Sequence, residues 1–302
     1  MRFHKLDLNL LVALNALLED KSVSLAAERI HLSQSATSSA LGRLREYFQD
    51  ELLVLKGRSM VLTPRAEELV QPVRAVLDQI TATIAVSQPF DPAVSDRRLS
   101  ILASDYAIEV MLRPAMLAFE EEAPGMTFDI SPLGDDVVEE LKRGRADLLI
   151  AIDTAISTEL PFVQLWEDDF VVVAWSGNHS LRGGITRELY ESLGHVVARF
   201  GRTRSPSFEE WALRSQAINR RVEVIAPSFT AVPSFLVGSQ RIATMHRRLA
   251  ERMARFYPLK ILEAPLDIPS VRQTAQWASS SNTDAALMWL VGRLQALMQD
   301  QG

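Results

Sequence analysis

Residues 22–46, SVSLAAERIHLSQSATSSALGRLRE, decide how the rest of the chain is read. Ala26, Ala27 and Ile30 recur at helical spacing in the first half, and small alanines let two helices approach closely. His31-Leu32 makes a tight turn. Ser33 then reads as the N-cap of a helix over 34–47, with Ala36, Ala40, Leu41 and Leu44 as its buried stripe. The other face presents Gln34, Ser35, Thr37, Ser38, Arg43 and Arg45. A surface helix chosen for stability alone would carry Ala, Glu and Lys, because Ser and Thr are only moderate helix formers. Short hydroxyl and amide side chains instead suit a helix that enters the DNA major groove and bonds to base edges and phosphates.

Working outward, 6–19 (LDLNLLVALNALLE) places Leu6, Leu10, Val12 or Ala13, Leu14 and Leu17 on one helical face, with Asp7 as cap. Downstream, Leu52–Leu55 and Met60–Thr63 are short extended runs around Gly57 and predict a two-stranded wing. Thr63-Pro64 opens a long helix, since Thr caps and Pro suits the first helical position. Its apolar stripe runs through Leu69, Val73, Val76, Leu77, Ile80 and Ile84 to about residue 86, and Pro72 is expected to bend it or shift its start. A lone amphipathic helix cannot bury its own stripe, so the expected partner is the same helix of a second copy.

The formal charge of −6 argues against a nucleic-acid binder until its distribution is read. Residues 1–90 hold ten Lys/Arg and ten Asp/Glu, which leaves 22 basic and 28 acidic residues of the chain's 32 and 38 for the remainder. Within 29–65, Arg29, Arg43, Arg45, Lys56, Arg58 and Arg65 outnumber Glu46, Asp50 and Glu51. A locally basic face is enough for phosphate contacts. The absence of Cys excludes disulfides, thiolate zinc sites and Cys nucleophiles, and no H-x-x-x-H pair suggests a metal. No secretory core or bilayer-length apolar run is present, so a cytoplasmic protein is expected.

After a Pro- and Ser-containing linker at 87–96, the pattern alternates strand and helix to the C-terminus. It predicts two parallel sheets of roughly five strands each, with helices on both faces and a ligand crevice at the strand ends.

This order resembles the LysR-type transcriptional regulators. Leu32-Ser33-Gln34-Ser35-Ala36-Thr37-Ser38 matches the family's L-S-Q-[PS]-A-[VT]-S core, and GRSMVLTPRAEEL matches the wing and the following helix start. MRFHKLDLNLLVAL and GHVVARFGRTRSPSFEEW (194–211) resemble the branch that holds nodulation regulators and regulators of aromatic catabolism. Arg45-Glu46 departs from the commoner Leu-Glu end of the recognition helix.

The resemblance implies an α/β protein with a winged helix-turn-helix over 1–63, a linker helix and hinge over 64–90 and a two-lobed, periplasmic-binding-protein-like effector domain over 91–302. Lobe I would comprise 91–161 and 267–302, and lobe II 162–266. It further implies a dimer of dimers, promoter DNA, RNA polymerase and a small inducer as partners, with no membrane and no cofactor.

For DNA, Gln34 is the candidate for base readout, and Ser33, Ser35, Thr37 and Ser38 for bases or phosphates. Arg43, Arg45, Lys56, Arg58 and Arg65 are candidates for phosphates. For the crevice, Ser104 and Asp105 end the first strand at a helix start, Gly134 follows the second, and Phe200, Arg202, Thr203 and Ser205 begin the second lobe beside Arg199. Alignment with salicylate-responsive relatives adds Asp169, Phe229, Thr244 and Gln276. A pocket rich in Asp, Ser and Gln favours hydroxyls over a carboxylate. The expected inducer is therefore phenolic or hydroquinone-like, with flavonoids and benzoates as alternatives. The Asp/Glu pairs at 120–122, 135–136, 139–140 and 168–169 read as solvated faces rather than catalytic pairs. A solute-binding protein with an incidental helical module is the competing class.

Overall fold

The computed structural model describes residues 8–57, 59–84, 90–201, 203 and 205–299. Two compact units emerge, one of Met1–Pro89 with Arg143–Arg145 and one of Phe90–Lys142 with Ala146–Gly302.

In the first unit, α1 (Leu8–Asp20), α2 (Val23–Arg29) and α3 (Gln34–Phe48) surround Leu10, Leu14, Leu17, Ala26, Leu41 and Leu44, all buried. Each such Leu contributes on the order of 1.5–3 kcal/mol by leaving water. Ser22 accepts from Leu25 N–H at 3.4 Å and Ser33 from Ala36 N–H at 3.1 Å, which starts α2 and α3 where the hydroxyls predict. His31 takes φ 53° in the turn between them. The Asp7 cap and Leu6 lie outside the described residues.

The phase of α3 differs by one position from expectation. Thr37 is fully buried and Ala36 is exposed. Leu41 and Leu44 set the phase, and four and seven residues back from them is position 37. Its hydroxyl donates to the Ser33 carbonyl at 3.2 Å, which makes a buried Thr tolerable.

The wing is the antiparallel pair β1 (Leu53–Lys56) and β2 (Ser59–Leu62), with Gly57 at φ 67° in its turn. Then α4 runs unbroken from Pro64 to Ile84, capped by Thr63, whose hydroxyl accepts from Ala66 N–H at 3.1 Å. Pro72 sits exposed inside it and does not displace its start.

The second unit holds two sheets. In the first, β3 (Arg98–Ala103) runs parallel to β4 (Thr127–Ser131) and β5 (Leu148–Ile152). The return strand β13 (Val271–Gln276) pairs antiparallel with β5 and with β6 (Phe162–Asp168). In the second sheet, β7 (Phe170–Trp175) is antiparallel to β11 (Ile242–His246) and β12 (Leu259–Glu263), while β8 (Gly194–Phe200) is parallel to β10 (Arg221–Ala226) and β11. The short β9 (Ser205–Pro206) pairs with β8.

The sheets are therefore mixed, not parallel. Only Asp169 separates β6 from β7, so those strands join different sheets at a one-residue crossing. This moves 162–168 from the expected second lobe into the first. The 105–122 helix contains one π-type stretch, Ile108–Leu112, which follows Asp105 and Tyr106 by a few residues; such bulges are frequent at functional sites.

Candidate functional site

On α3, Ser33, Gln34, Ser35, Ser38 and Arg43 are exposed, and Ser33 and Ser35 hydroxyls lie 3.0 Å apart. Thr37 is excluded from this face by its burial. Lys56 is exposed at the wing and Arg65 in the first turn of α4, where it pairs with Glu68 at 3.1 Å across open solvent. Such exposed pairs contribute little. Arg45 departs from expectation: its guanidinium donates to the carbonyls of Glu51 and Leu53, each at 2.8 Å. Arg58 lies outside the described residues.

In the second unit, a cavity of about 510 Å³ opens where the C-terminal ends of the strands of both sheets meet. The first lobe supplies Ser104, Asp105, Tyr106, Gly134 and Asp135, and the second Phe170, Phe200, Thr203, Ser205 and Phe229. Ser104 caps the 105–122 helix through Ala107 N–H at 3.2 Å. The Asp105 carboxylate accepts from Thr230 N–H at 2.6 Å, and the Thr203 hydroxyl donates to Asp135 at 3.2 Å, so carboxylates of one lobe bind donors of the other. Gly201, at φ 67°, lies so close to Asp135 that a Cβ there would collide with the carboxylate.

An aromatic wall lines the cavity. The Tyr106 and His246 rings stack at 3.9 Å and 8°, Phe229 meets His246 edge-on at 4.7 Å, and Phe200 lies 4.6 Å from Phe229. The Tyr106 hydroxyl donates to Asp168 at 2.6 Å and accepts from Trp166 Nε1 at 2.8 Å. Burial pushes both the Tyr106 hydroxyl and the Asp168 carboxyl up, the Tyr106 bond pulling the latter back. Burial alone holds His246 down at about 3, so the ring is neutral. Behind the wall, Glu209 is buried, accepts from Ser207 at 2.5 Å and pairs with Arg220 at 3.2 Å; burial raises its carboxyl against the pull of that arginine.

Three expected cavity residues fall elsewhere. Gln276 is fully buried and clamps the Ser157 backbone, donating at 2.6 Å and accepting at 3.0 Å. Thr244 shares a strand face with His246 but lies two register pairs further along, with its hydroxyl 2.7 Å from that of Tyr190. Asp169 is exposed on the crossing, and its buried neighbour Asp168 takes the inner place. Arg202 lies outside the described residues, and Arg199 is paired with Glu210 at 2.7 Å. Sequence reasoning missed Tyr106, Phe170, Phe208, Glu209, His246 and Gln273. Phe170 and His246 are register partners at strand ends, a pairing visible only once β7 is set against β11.

A winged helix-turn-helix joined to a two-lobed domain with a cavity between its sheets defines the class of ligand-responsive DNA-binding regulators. Residues 8–67 match the bacterial regulatory helix-turn-helix protein, lysR family, and residues 93–299 match the LysR substrate binding domain. The chain is 43% identical over 294 residues to nodulation protein D 1 of Rhizobium tropici, covering 97% of this chain and 96% of that one. It is also 43% identical to nodulation protein D 1 of Rhizobium meliloti (strain 1021), over 96% of this chain and 94% of the other. The crystal structure of a probable transcriptional regulator from Pseudomonas aeruginosa superposes with a TM-score of 0.76 at 30% identity, covering 97% and 98% of the two chains. The chain belongs to the LysR family of DNA-binding transcriptional regulators.

Proposed function

We propose that this regulator is switched by an uncharged, hydroxylated aromatic molecule held between the two sheets of the second unit. The composition of the wall carries this reading. The described lining combines Tyr106, Phe170, Phe200, Phe208 and Phe229 with Asp105, Asp135 and Glu209, and contains no Lys or Arg. Phenolic hydroxyls donate to carboxylates, whereas a benzoate would bring a like charge to Asp105 and Asp135. A volume of about 510 Å³ lies in the range of sites for drug-sized ligands. A single hydroquinone ring would leave much of it to water, so a polyphenol of more than one ring suits it better.

Calorimetry with a hydroxylated flavonoid, a hydroquinone and benzoate tests the assignment. The flavonoid is expected to bind tightest and benzoate not at all; benzoate binding more tightly than either phenol overturns it. Ligand occupancy would bias the angle between the lobes, and that requires different affinity for the two arrangements. The bridges Asp105–Thr230 and Thr203–Asp135 are the contacts such a change would break or keep.

For DNA, Gln34 reads a base edge, and Arg43, Lys56 and Arg65 contact phosphates. Gln34→Ala is expected to relax sequence preference at one base pair by about 1–3 kcal/mol. Lys56→Ala should weaken operator and scrambled duplexes alike. A footprint on the intergenic region beside its own gene provides the operator, and equal discrimination by wild type and Gln34→Ala would reject the base-reading role. Pairing of α4 between copies, assembly as a dimer of dimers and contact with RNA polymerase complete the proposed cytoplasmic regulator. The relatives' name makes nodulation genes the first targets to examine.

A further inference from the structure

We propose that Arg45 is a positioning residue for DNA binding: it sets the wing against the recognition helix and leaves the phosphate contact to the wing itself. Arg45 sits in the last turn of α3, and its Nε and Nη2 reach the carbonyls of Glu51 and Leu53, both at 2.8 Å. Between helix and strand the chain passes through Gln49 at φ 52° and Leu52 at φ 58°. Neither is glycine, so the connection does not hold this path by its own backbone preference. Backbone bonds from Asp50 N–H to the Arg45 carbonyl and from Leu53 N–H to the Glu51 carbonyl close the turn, and the planar guanidinium fork ties it to α3 with two charged donors directed at alternate carbonyls.

The same segment is held from its other side. Asp50 accepts from Leu52 N–H at 2.7 Å and from the Thr63 hydroxyl at 2.6 Å, and Thr63 N–H donates to the Leu52 carbonyl at 3.0 Å. Residues 51–53 are thus clamped between the end of α3 and the start of α4. Leu53 is the first residue of the strand that ends at Lys56, so the clamp fixes the backbone from which that side chain extends. The Glu51 carboxylate lies 3.2 Å from Arg45 Nε on the exposed side of the same guanidinium.

This inference rests on the wing touching phosphate, and a double-mutant cycle separates the two ideas. Binding to a mixed-sequence duplex is measured against salt for wild type, Arg45→Lys, Lys56→Ala and the double variant. Hydrogen exchange follows the amides of β1 and β2. Arg45→Lys keeps the charge but cannot bridge both carbonyls. It is expected to weaken binding by the same factor as Lys56→Ala, to lower the salt slope by about one, and to add nothing in the double variant. The wing amides of Arg45→Lys should exchange faster, while those in the first two turns of α3 stay protected. Additive losses would assign Arg45 a contact of its own, and wild-type affinity in Arg45→Lys would show that the clamp does not govern binding; either result would overturn the proposal. So would unchanged wing exchange in a folded Arg45→Lys. Faster wing exchange with a silent Lys56→Ala would retain the clamp but remove Lys56 as a phosphate contact.

Discussion

Arg220→Met is expected to destabilise the ligand-binding unit by about 3–5 kcal/mol, the usual cost of removing one partner of a buried ion pair. Arg220 and Glu209 pair at 3.2 Å with side chains only 4% and 3% exposed. Without the guanidinium, Glu209 keeps only the Ser207 hydroxyl among its charge-stabilising bonds. Burial already pushes its carboxyl up, and removing the guanidinium takes away the attraction that opposes this desolvation cost. The double variant Glu209→Gln/Arg220→Met should recover much of the loss, because no buried charge is then left alone. Arg187→Ala, by contrast, removes an exposed pair with Glu191 at 2.9 Å and should cost under about 0.5 kcal/mol. All five tryptophans, Trp166, Trp175, Trp211, Trp277 and Trp289, lie in the second unit, so intrinsic fluorescence in urea follows that unit alone. A loss below 1 kcal/mol in Arg220→Met would mean that water reaches Glu209. The experiment also bears on the ligand site, since Glu209 lines the cavity.

Much of this architecture was legible because periodicity is a local signal. Hydroxyl caps at Ser22, Ser33, Thr63 and Ser104 fell where a Ser or Thr precedes an apolar rhythm. The strand segments were found from short β-branched runs. Strand direction was not legible, because whether β13 runs with or against β5 depends on a crossing more than a hundred residues away. The cavity was half legible for the same reason. Ser104, Asp105 and Gly134 follow strand ends that sequence alone locates. Tyr106 becomes a wall residue only through partners at Trp166, Asp168 and His246, sixty or more positions distant. Gln276 and Thr244 were misplaced because a buried polar side chain is equally well satisfied by a ligand or by a backbone, and here the backbone of Ser157 and the hydroxyl of Tyr190 came first. Arg45 is a basic residue on a basic face whose internal bonds, to the carbonyls of Glu51 and Leu53, no local pattern shows.

Between pH 7 and pH 5, wild type is expected to lose about 2 kcal/mol more stability than His246→Phe, and about 4 kcal/mol more than a variant that also carries His195→Gln. Burial holds His246 down at about 3, and holds His195 down at about 4 although the bond from its Nε2 to the Tyr190 carbonyl at 2.7 Å pulls upward. An unfolded chain protonates both rings near the ordinary histidine value of about 6.5. Their contribution is therefore fully present above that pH and is lost as pH falls below it, at about 1.4 kcal/mol per pH unit for each ring, until the folded values are reached. The Asp168 and Glu209 carboxyls act in the opposite direction, because burial raises them and acid relieves their cost. The raw stability curve thus sums opposing titrations, and only the difference between wild type and variant isolates the histidines. His246→Phe keeps a flat ring against Tyr106 while removing the titration, so its effect at pH 7 should be small. The functional consequence follows from position: His246 lines the cavity, and a proton there would put a charge into the aromatic wall. Ligand binding should therefore stay flat from pH 8 to the onset of unfolding. Parallel urea midpoints for wild type and variant between pH 7 and pH 5 would show that the ring protonates at an ordinary pH and that water reaches it.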